Sequence, residues 1–305
     1  MGRRLVTLSD EKKRILVVGD VIDDIVVIPS GPIVADTDTP STIRRVAGGS
    51  AANTAAWLGK LGTPVTFVGA VAAADVARHT ALLPGVDARL QPVDEPTGTI
   101  VVVVDGERRS LLTERGANAL LDLDAISEDL LAGNGLLNGD GLSGPGHLHL
   151  TGHTMAASDG AAFARLIRRA KGAGATVSVN PGSVAYIVAL GADRFLDVIA
   201  GTDVLIATLA EGQALTGRVA PAEICAALDV PTVVLTLGRD GAVVNGVAVA
   251  AASVTVVDPT GAGDAFCAGF LARWTAGVDA VAAALFGAEV AARALAIVGG
   301  RPLSA

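Results

Sequence analysis

Short apolar runs recur along the chain, and amphipathic segments separate most of them. The apolar runs cover residues 14–19, 65–69, 147–150, 176–179, 204–206 and 232–235. Helical periodicity occupies residues 125–131, 160–171, 194–199 and 222–228. Continuous apolar runs are typical of strands buried on both faces. Strands that alternate with helices predict right-handed crossovers and a mostly parallel sheet, so the chain belongs to the α/β class.

A second, antiparallel pattern lies outside this alternation. Residues 99–104 and 108–113 are β-prone runs on either side of an Asp-Gly turn, which is a strong hairpin signal. Residues 21–45 are polar and β-prone without helical periodicity. We therefore predict one domain over residues 1–305, with a small β-sheet lid formed by this segment and by residues 94–114.

The glycine-rich stretch from Pro259 to Asp264 predicts an anion site at the start of a helix. Residues 253–257 are β-branched and apolar and predict a strand, whereas Phe266 and Phe270 recur at helical spacing after the glycines. The first N–H groups of a helix lack intrahelical partners and carry partial positive charge, so they bind anions without basic side chains. A carboxylate at Asp264 suits a base that deprotonates an attacking hydroxyl, which indicates phosphoryl transfer. The alternative is a tight turn that Asp264 merely caps.

Polar and glycine-rich turns follow several of the predicted strands. Asp20 ends the first apolar run, Gly48 and Gly49 lead into a helix of small residues, and Asn180 and residues 236–241 follow later strands. In open α/β sheets, ligands bind at the edge where the carboxyl ends of the strands meet. We therefore expect these turns to converge with the glycine-rich stretch.

Composition narrows the classes of protein. Hydrophobic residues make up 51% of the chain and the mean hydropathy is +0.54, yet polar residues interrupt the most apolar windows before the ~18 residues of a membrane helix. A net charge of -8 and 3% aromatic residues argue against a nucleic-acid partner. The charged N-terminus lacks a secretory signal, which predicts a cytoplasmic protein. Cys225 and Cys267 are expected to be buried thiols.

Two motifs together resemble the signatures of the ribokinase-like, or PfkB, carbohydrate kinases. The first runs from Gly48 through Asn53 into the small-residue helix, and the second is Asp-Pro-Thr-Gly-Ala-Gly-Asp at residues 258–264. Residues 115–118 and 236–238 also look like turns of that family. The resemblance implies a three-layer α/β/α sandwich with a mostly parallel central sheet and a small β-sheet lid.

The resemblance also implies roles for individual residues. The catalytic base would be Asp264, and the anion hole would be the backbone of Gly261, Ala262 and Gly263. The hydroxyls of the acceptor would be bound by Asp20, Gly48, Gly49 and Asn53. The ATP site would be lined by Asn180, Thr236, Gly238 and Gly241.

Other positions match the family in part. Glu211 corresponds to a glutamate that acts on Mg²⁺ through water, but Thr208 replaces the family's Asn and cannot offer an amide donor and acceptor together. Asp258 matches a residue that contributes to a monovalent cation site for K⁺ in many members, and a solvated strand-end Asp is the alternative. Residues 71–75 depart from a family stretch that shapes the sugar pocket. His153 has a substrate contact and a structural role as its alternatives.

The sequence therefore predicts an ATP- and Mg²⁺-dependent kinase that phosphorylates a hydroxymethyl group of a pentose, a hexose or a sugar acid. A nucleoside kinase of the same fold is the first alternative, although aromatic residues that would stack on a base are scarce near the hairpin. A catalytically silent sugar or nucleotide sensor is the second. Arg108, Arg109 and Arg115 leave a carboxylated or phosphorylated acceptor open. The exposed edge of the predicted lid offers a surface for a homodimer.

Overall fold

The computed structural model describes residues 13–105, 108–132, 146–157 and 160–303. The strands are β1 Ile15–Val18, β2 Ile22–Pro29, β3 Ser41–Gly48, β4 Val65–Ala72, β5 Asp87–Val93, β6 Thr99–Asp105, β7 Arg108–Glu114, β8 His147–Thr151, β9 Thr176–Asn180, β10 Val204–Thr208, β11 Thr232–Thr236, β12 Ala242–Val244 and β13 Val247–Val249. The helices are α1 Ser50–Lys60, α2 Val76–Ala81, α3 Glu128–Leu131, α4 Gly152–Ala157, α5 Gly160–Gly172, α6 Val184–Leu190, α7 Ala192–Val198, α8 Leu209–Thr216, α9 Pro221–Ala227, α10 Ala262–Trp274 and α11 Ala280–Leu295.

A nine-stranded sheet forms the centre of the molecule, in the order β13-β12-β11-β10-β9-β8-β1-β4-β5. Strand β1 lies between β4 and β8, and Ile15 pairs with both Val65 and His147. All strands from β11 to β5 run parallel, and β12 and β13 add an antiparallel hairpin at one edge. The predicted α/β fold with a mostly parallel central sheet is confirmed.

Apolar side chains cover both faces of this sheet. Leu16 and Val18 belong to a core cluster on one face, whereas Ile15 and Val17 belong to a cluster on the other. Alternate residues of a strand point to opposite faces, so a strand buried on both sides is apolar throughout. The continuous apolar runs in the sequence therefore follow from the helical layers on either side.

A four-stranded sheet, in the order β3-β2-β6-β7, stands apart from the central sheet. We call it the small sheet. The β6–β7 pair is antiparallel, as the hairpin signal predicts. Three residues separate the end of β1 from the start of β2, so the small sheet departs directly from the edge of the central sheet where the parallel strands have their carboxyl ends. Ile43, Leu111 and Leu112 are more than 60% exposed in it, and a homodimer through this sheet stays a prediction.

Two predicted elements differ from the structure. Residues 253–257 do not form a strand. The N–H groups of Val257 and Asp258 instead donate to the Leu295 carbonyl oxygen at 2.7 and 3.3 Å, so the end of α11 takes the place of a neighbouring strand. The helix expected at residues 125–131 is confined to α3. The Asp122 carboxylate accepts the N–H groups of the two residues before Ile126 and holds that segment in a turn.

Other findings concern the thiols and the membrane. Cys267 is buried as expected, and Cys225 is half-buried; both are free. Within the described ranges, no helix has both the length and the apolar character required to cross a bilayer.

Candidate active site

The glycine loop opens helix α10 in a conformation that only glycine adopts easily. Gly261 has a φ of 74°, and a Cβ atom there would collide with the Cα atom of Gly300. The N–H groups of Gly261 and Gly263 bond to no other described residue, whereas the Ala262 N–H donates to the Pro259 carbonyl oxygen at 3.4 Å. The predicted anion hole therefore has two uncommitted donors at the positive end of a 13-residue helix.

The Asp264 carboxylate joins the two sequence motifs. The Ser50 hydroxyl donates to its Oδ1 at 2.6 Å, and the Asn53 amide donates to its Oδ2 at 2.9 Å. Both donors belong to α1, whereas Asp264 lies in the first turn of α10. Helix α10 has no side-chain cap. The alternative of a capping aspartate is therefore wrong, because the Asp264 side chain bonds to another helix.

The electrostatics of Asp264 suit a general base. Burial raises its pKa to about 7, the hydrogen bonds from Ser50 and Asn53 oppose that shift, and the charges of Asp20 and Asp24 add to it. A base whose pKa lies near the working pH is both partly ionised and able to accept a proton. This environment is what proton abstraction from an alcohol requires.

We expect Ser50→Ala to move the acid limb of the pH–rate profile upward. The Ser50 hydroxyl bonds to the carboxylate and so favours its ionised form. Without that bond the pKa of Asp264 rises, and activity is lost at a higher pH as the solution is acidified. A bond to a charged group corresponds to about one to two pH units. The measurement is kcat/KM against pH for Ser50→Ala, for the wild type and for Ser41→Ala, which removes an exposed hydroxyl on β3. If the acid limb does not move in Ser50→Ala, the hydrogen bond from Ser50 does not lower the pKa of Asp264.

Asp20 lies at the end of β1 but faces the start of α1. Its carboxylate accepts the N–H groups of Ser50 and Ala51 at 2.9 and 3.1 Å and the Thr151 hydroxyl at 3.2 Å. The residue is 4% exposed. These bonds hold Ser50 in place for Asp264. The predicted contact of Asp20 with the acceptor stays a prediction, and its three existing donors argue against it.

Asp24 is a carboxyl group that the sequence reasoning missed. It lies on β2 beside Gly48, where a Cβ atom would collide with its carboxylate. Burial raises its pKa to about 6, and the charge of Asp20 adds to the shift. Its side chain forms no hydrogen bond with another described residue. The Asp-x-x-x-Asp spacing from Asp20 across the strand end was the available signal.

Arg301 in the C-terminal segment is a second residue that the sequence reasoning missed. Its Nε donates to the Asn53 Oδ1 at 3.2 Å, and its Nη2 donates to the Gly48 carbonyl oxygen at 2.8 Å. Because the amide oxygen of Asn53 is bound to Arg301, its nitrogen is directed at Asp264. Burial lowers the pKa of Arg301 to about 10, and nearby carboxylates, Asp24 foremost, oppose that shift. Nothing in the local pattern of the last residues indicates this contact.

The two glycines of the first motif, Gly48 and Gly49, lie where a side chain would not fit. Gly48 ends β3, and Gly49 precedes α1 with a φ of 93°. A Cβ atom on Gly49 would collide with the Asp20 carbonyl oxygen. Gly48, Gly49 and Asn53 are therefore brought together with Asp264, as the sequence predicts.

The predicted nucleotide residues lie farther along the same sheet edge. Asn180 ends β9, and its amide faces the Cys267 sulfur at 3.6 Å. Thr236 ends β11, and its hydroxyl donates to a carbonyl oxygen of β10 at 3.4 Å. Gly238 and Gly241 bound the tight turn that follows, both with positive φ. Parallel pairing places these strand ends on the same edge as Asp20, and their contact with ATP stays a prediction.

The residues expected at metal ions have intramolecular partners. Glu211 is buried, and its Oε2 accepts the Thr208 N–H at 2.7 Å, while the Thr208 hydroxyl accepts the Glu211 N–H at 3.3 Å. Thr208 thus caps α8 where the family has Asn. The Asp258 oxygens accept the N–H groups of Thr260 and Gly299, at 2.9 and 3.0 Å, so this residue joins the glycine loop to the C-terminal segment. The Mg²⁺ and K⁺ roles stay predictions.

An aromatic residue also lies close to this edge. Tyr186 on α6 contacts the imidazole of His153, and the Arg115 guanidinium lies 5.1 Å from the centre of its ring. The chain has no other tyrosine. Sequence reasoning missed Tyr186, because α6 carries no motif that links it to the hairpin.

Comparisons with known proteins bear on the family and on the fold. The profile of the pfkB family carbohydrate kinases matches residues 12–303. An ATP-dependent ribose-1-phosphate kinase from Halopiger xanaduensis is 31% identical over 241 residues, which span 76% of this chain and 74% of that protein. An adenosine kinase from Sinorhizobium meliloti has a TM-score of 0.80 at 25% identity, over 96% of this chain and 97% of that one. A probable sugar kinase from Rhizobium etli has a TM-score of 0.80 at 24% identity, over 96% of both chains, and this likeness concerns the fold.

Proposed function

The chain belongs to the pfkB family of carbohydrate kinases, which transfer a phosphoryl group to a hydroxyl group of a sugar, and from that premise we propose that it phosphorylates the hydroxymethyl group of a pentose. The observation that carries the proposal is the Asp264 carboxylate, bound by Ser50 and Asn53 and raised in pKa to about 7. The pentose is supported by the ribose-1-phosphate kinase that is 31% identical to the chain.

The reaction follows from the positions of these groups. Asp264 takes the proton of the acceptor hydroxyl as its oxygen attacks the γ-phosphorus of ATP in line. The N–H groups of Gly261 and Gly263 at the start of α10 stabilise the negative charge on the transferred group. Their partial charges are fixed by the helix, so no reorganisation is needed during the reaction.

Glu211 supplies the oxygen ligand that we propose for a magnesium ion. Glu211 keeps Oε1 beyond its bond to Thr208, and hard cations prefer such oxygen ligands with water between. Bound Mg²⁺ would neutralise the phosphate oxygens of ATP. For K⁺, both Asp258 oxygens already accept N–H groups, so Asp258 would shape such a site more than supply its ligands.

Asp24 is proposed as the carboxylate that binds the sugar hydroxyls. It lies beside Gly48 and within the electrostatic reach of Asp20, and it has no hydrogen-bond partner in the part of the chain that is described. A carboxylate accepts two hydroxyl groups readily, and the small sheet from which it projects could cover the bound sugar.

The test of the proposed function is release of ADP from Mg-ATP with a panel of acceptors. The panel holds pentoses, pentose phosphates, hexoses, phosphohexoses, sugar acids and nucleosides. We expect turnover with the pentose class, with the new phosphate on the hydroxymethyl carbon by ³¹P NMR. Asp24→Ala is expected to raise KM for that acceptor by about 10- to 100-fold, since a bond to a charged group is lost. The matched control is Asp229→Ala, which changes an exposed aspartate. If ATP and a sugar bind but no acceptor is phosphorylated, a silent sensor replaces the proposed kinase.

A nucleoside acceptor is the second candidate, because Tyr186 supplies an aromatic ring near the edge and the adenosine kinase shares the fold. Two other side chains already contact the Tyr186 ring, however. Arg115 covers one face at 5.1 Å, and the His153 ring meets it edge-on at 5.3 Å. Stacking of a base on that face would require Arg115 to leave. Turnover of nucleosides above that of pentoses in the same panel would favour this candidate.

A further inference from the structure

Arg115 is a cation that lacks an ion-pair partner among the described residues. It lies between β7 and the short turn Gly116–Leu120 and is half-buried. Its guanidinium rests over the Tyr186 ring and forms neither a hydrogen bond nor an ion pair with any residue of the described ranges. Burial lowers the pKa of Arg115, and the charge of Asp20 opposes that shift. A half-buried guanidinium with five unused donors is costly to desolvate unless a ligand satisfies it.

Two further polar groups lie beside this guanidinium. The Tyr186 hydroxyl is 3.2 Å from the His153 Nδ1, and the two rings meet edge-on. The other edge of the imidazole lies against Gly182. Burial lowers the pKa of His153, which favours the neutral ring, and a neutral imidazole carries one N–H donor. Arg115, Tyr186 and His153 together form a patch of donors that we call the Arg115 cluster.

The backbone beside Arg115 is tied to the active site. The Asn118 Nδ2 donates to the carbonyl oxygens of Val21 and Arg115 at 2.8 and 3.1 Å, and its Oδ1 accepts the Val21 N–H at 2.9 Å. Val21 directly follows Asp20, whose charge acts on both Arg115 and His153. Asp20 in turn accepts the N–H group of Ser50, whose hydroxyl bonds to Asp264. The Arg115 cluster is therefore held at the edge of the site that Asp264 occupies.

We propose that the Arg115 cluster is a subsite for a phosphomonoester group that the acceptor sugar already carries. In the proposed reaction the reacting hydroxyl lies at Asp264 and other sugar hydroxyls bind Asp24, so a phosphate that the acceptor already carries would lie at its far end, beside the positive charge of Arg115. The guanidinium supplies a fork of donors, and the hydrogen bond between Tyr186 and His153 leaves one more: the Tyr186 O–H if Nδ1–H donates, or the His153 Nε2–H if Nδ1 accepts. Donors from two residues suit the three oxygens of a phosphate better than a planar carboxylate, which one guanidinium fork satisfies. The inference rests on the proposed function and specifies its substrate as a sugar phosphate.

The test compares ribose derivatives that carry a phosphate, a neutral methoxy group or a carboxylate at C1. Ribose 1-phosphate, methyl riboside and ribonate are assayed with the wild type, Arg115→Gln, Arg115→Lys and Arg218→Gln, the last of which changes an exposed arginine after α8. We expect the wild type to prefer ribose 1-phosphate to methyl riboside by about 100-fold in kcat/KM. In Arg115→Gln, KM for ribose 1-phosphate rises by about 30-fold or more, while kcat/KM for methyl riboside changes less than about threefold. Arg115→Lys recovers part of the loss, because the charge returns without the fork.

Several outcomes would overturn the subsite. They are an equal loss with both ribosides, a preference for ribonate over ribose 1-phosphate, or a rise in KM for ATP in place of the acceptor, which would assign Arg115 to the nucleotide. Calorimetric titration of ribose 1-phosphate into Asp264→Asn and into Asp264→Asn/Arg115→Gln measures binding without turnover. If the wild type phosphorylates none of the acceptors while ribose 1-phosphate binds in a manner that depends on Arg115, the subsite is supported and the proposed reaction is contradicted. If neutral pentoses are phosphorylated at a rate that Arg115→Gln does not change, and ribose 1-phosphate is not preferred, the proposed reaction is supported and the subsite is contradicted.

Discussion

Asp264→Asn is expected to lower kcat by about 10³- to 10⁴-fold with little change in the binding of ATP or acceptor. The variant keeps the size of the side chain, and its amide can bond to Ser50 and Asn53 in one orientation. It lacks a group that accepts the proton of the attacking hydroxyl. Steady-state and single-turnover rates with Mg-ATP, together with calorimetric binding of ADP and sugar, measure the two effects separately.

The same residue sets the pH dependence and the stability of this region. Because the base must be ionised, wild-type kcat/KM should fall tenfold per pH unit below about pH 7. The folded pKa lies above the unfolded value of 3.8, so folding favours the protonated form. The resulting loss of stability accumulates as the pH rises from about 4 to about 7 and is complete above pH 7. Asp264→Asn should therefore unfold no more easily than the wild type at pH 8. The control Asp197→Asn, on the surface of α7, should keep both rate and stability. Near-normal turnover in Asp264→Asn would remove it from the mechanism.

Asp23→Asn is expected to lower the free energy of unfolding by about 3 kcal/mol. Asp23 on β2 is 1% exposed, and its carboxylate accepts both Nη groups of Arg78 at 2.7 Å and the Nη2 of Arg45 at 2.6 Å. Arg78 belongs to α2, so this pair fastens the root of the small sheet to the central body. An amide loses the charge and one acceptor while the arginines stay partly desolvated. Chemical denaturation at pH 7 measures the loss, and a rise in KM for the acceptor would accompany it if the small sheet closes over the sugar.

The pH dependence of this pair has a definite sign. Burial alone would raise the pKa of Asp23, but the hydrogen bonds from Arg78 and Arg45 outweigh burial and lower it to about 2. The stabilisation is therefore present above the unfolded pKa of 3.8 and is lost as the pH falls from about 4 to 2. Asp124→Asn, which breaks the exposed pair with Arg165, should lower the free energy of unfolding much less, because water screens an exposed pair. Equal losses in the two variants would mean that the buried pair does not hold the small sheet.

Local patterns were sufficient for most of the fold. The apolar runs predicted six of the nine strands of the central sheet, because strands covered on both faces have no polar alternation to obscure them. The Asp-Gly turn predicted the β6–β7 hairpin for a similarly local reason. Strand β5 and the β12–β13 hairpin lie at the edges of the sheet and were not predicted. Residues 253–257 have strand-like composition, but the end of α11 provides their backbone partner, and no window of sequence around them contains that information.

Some features of the candidate site were likewise predictable from local sequence, and others were not. By itself, the sequence determined the α/β class, the glycine loop at the start of α10 and the carboxylate of Asp264, because a helix terminus and its glycines are local features. The tertiary structure alone brought Ser50 and Arg301 into the environment of Asp264, gave Asp20 a role in holding α1, and left the Asp24 carboxyl without a hydrogen-bond partner among the described residues. It also placed Arg115 over Tyr186, 71 residues farther along the chain. Hydrogen bonds and pKa values depend on which groups meet in space and how deeply they are buried, and that is decided only when distant segments pack together.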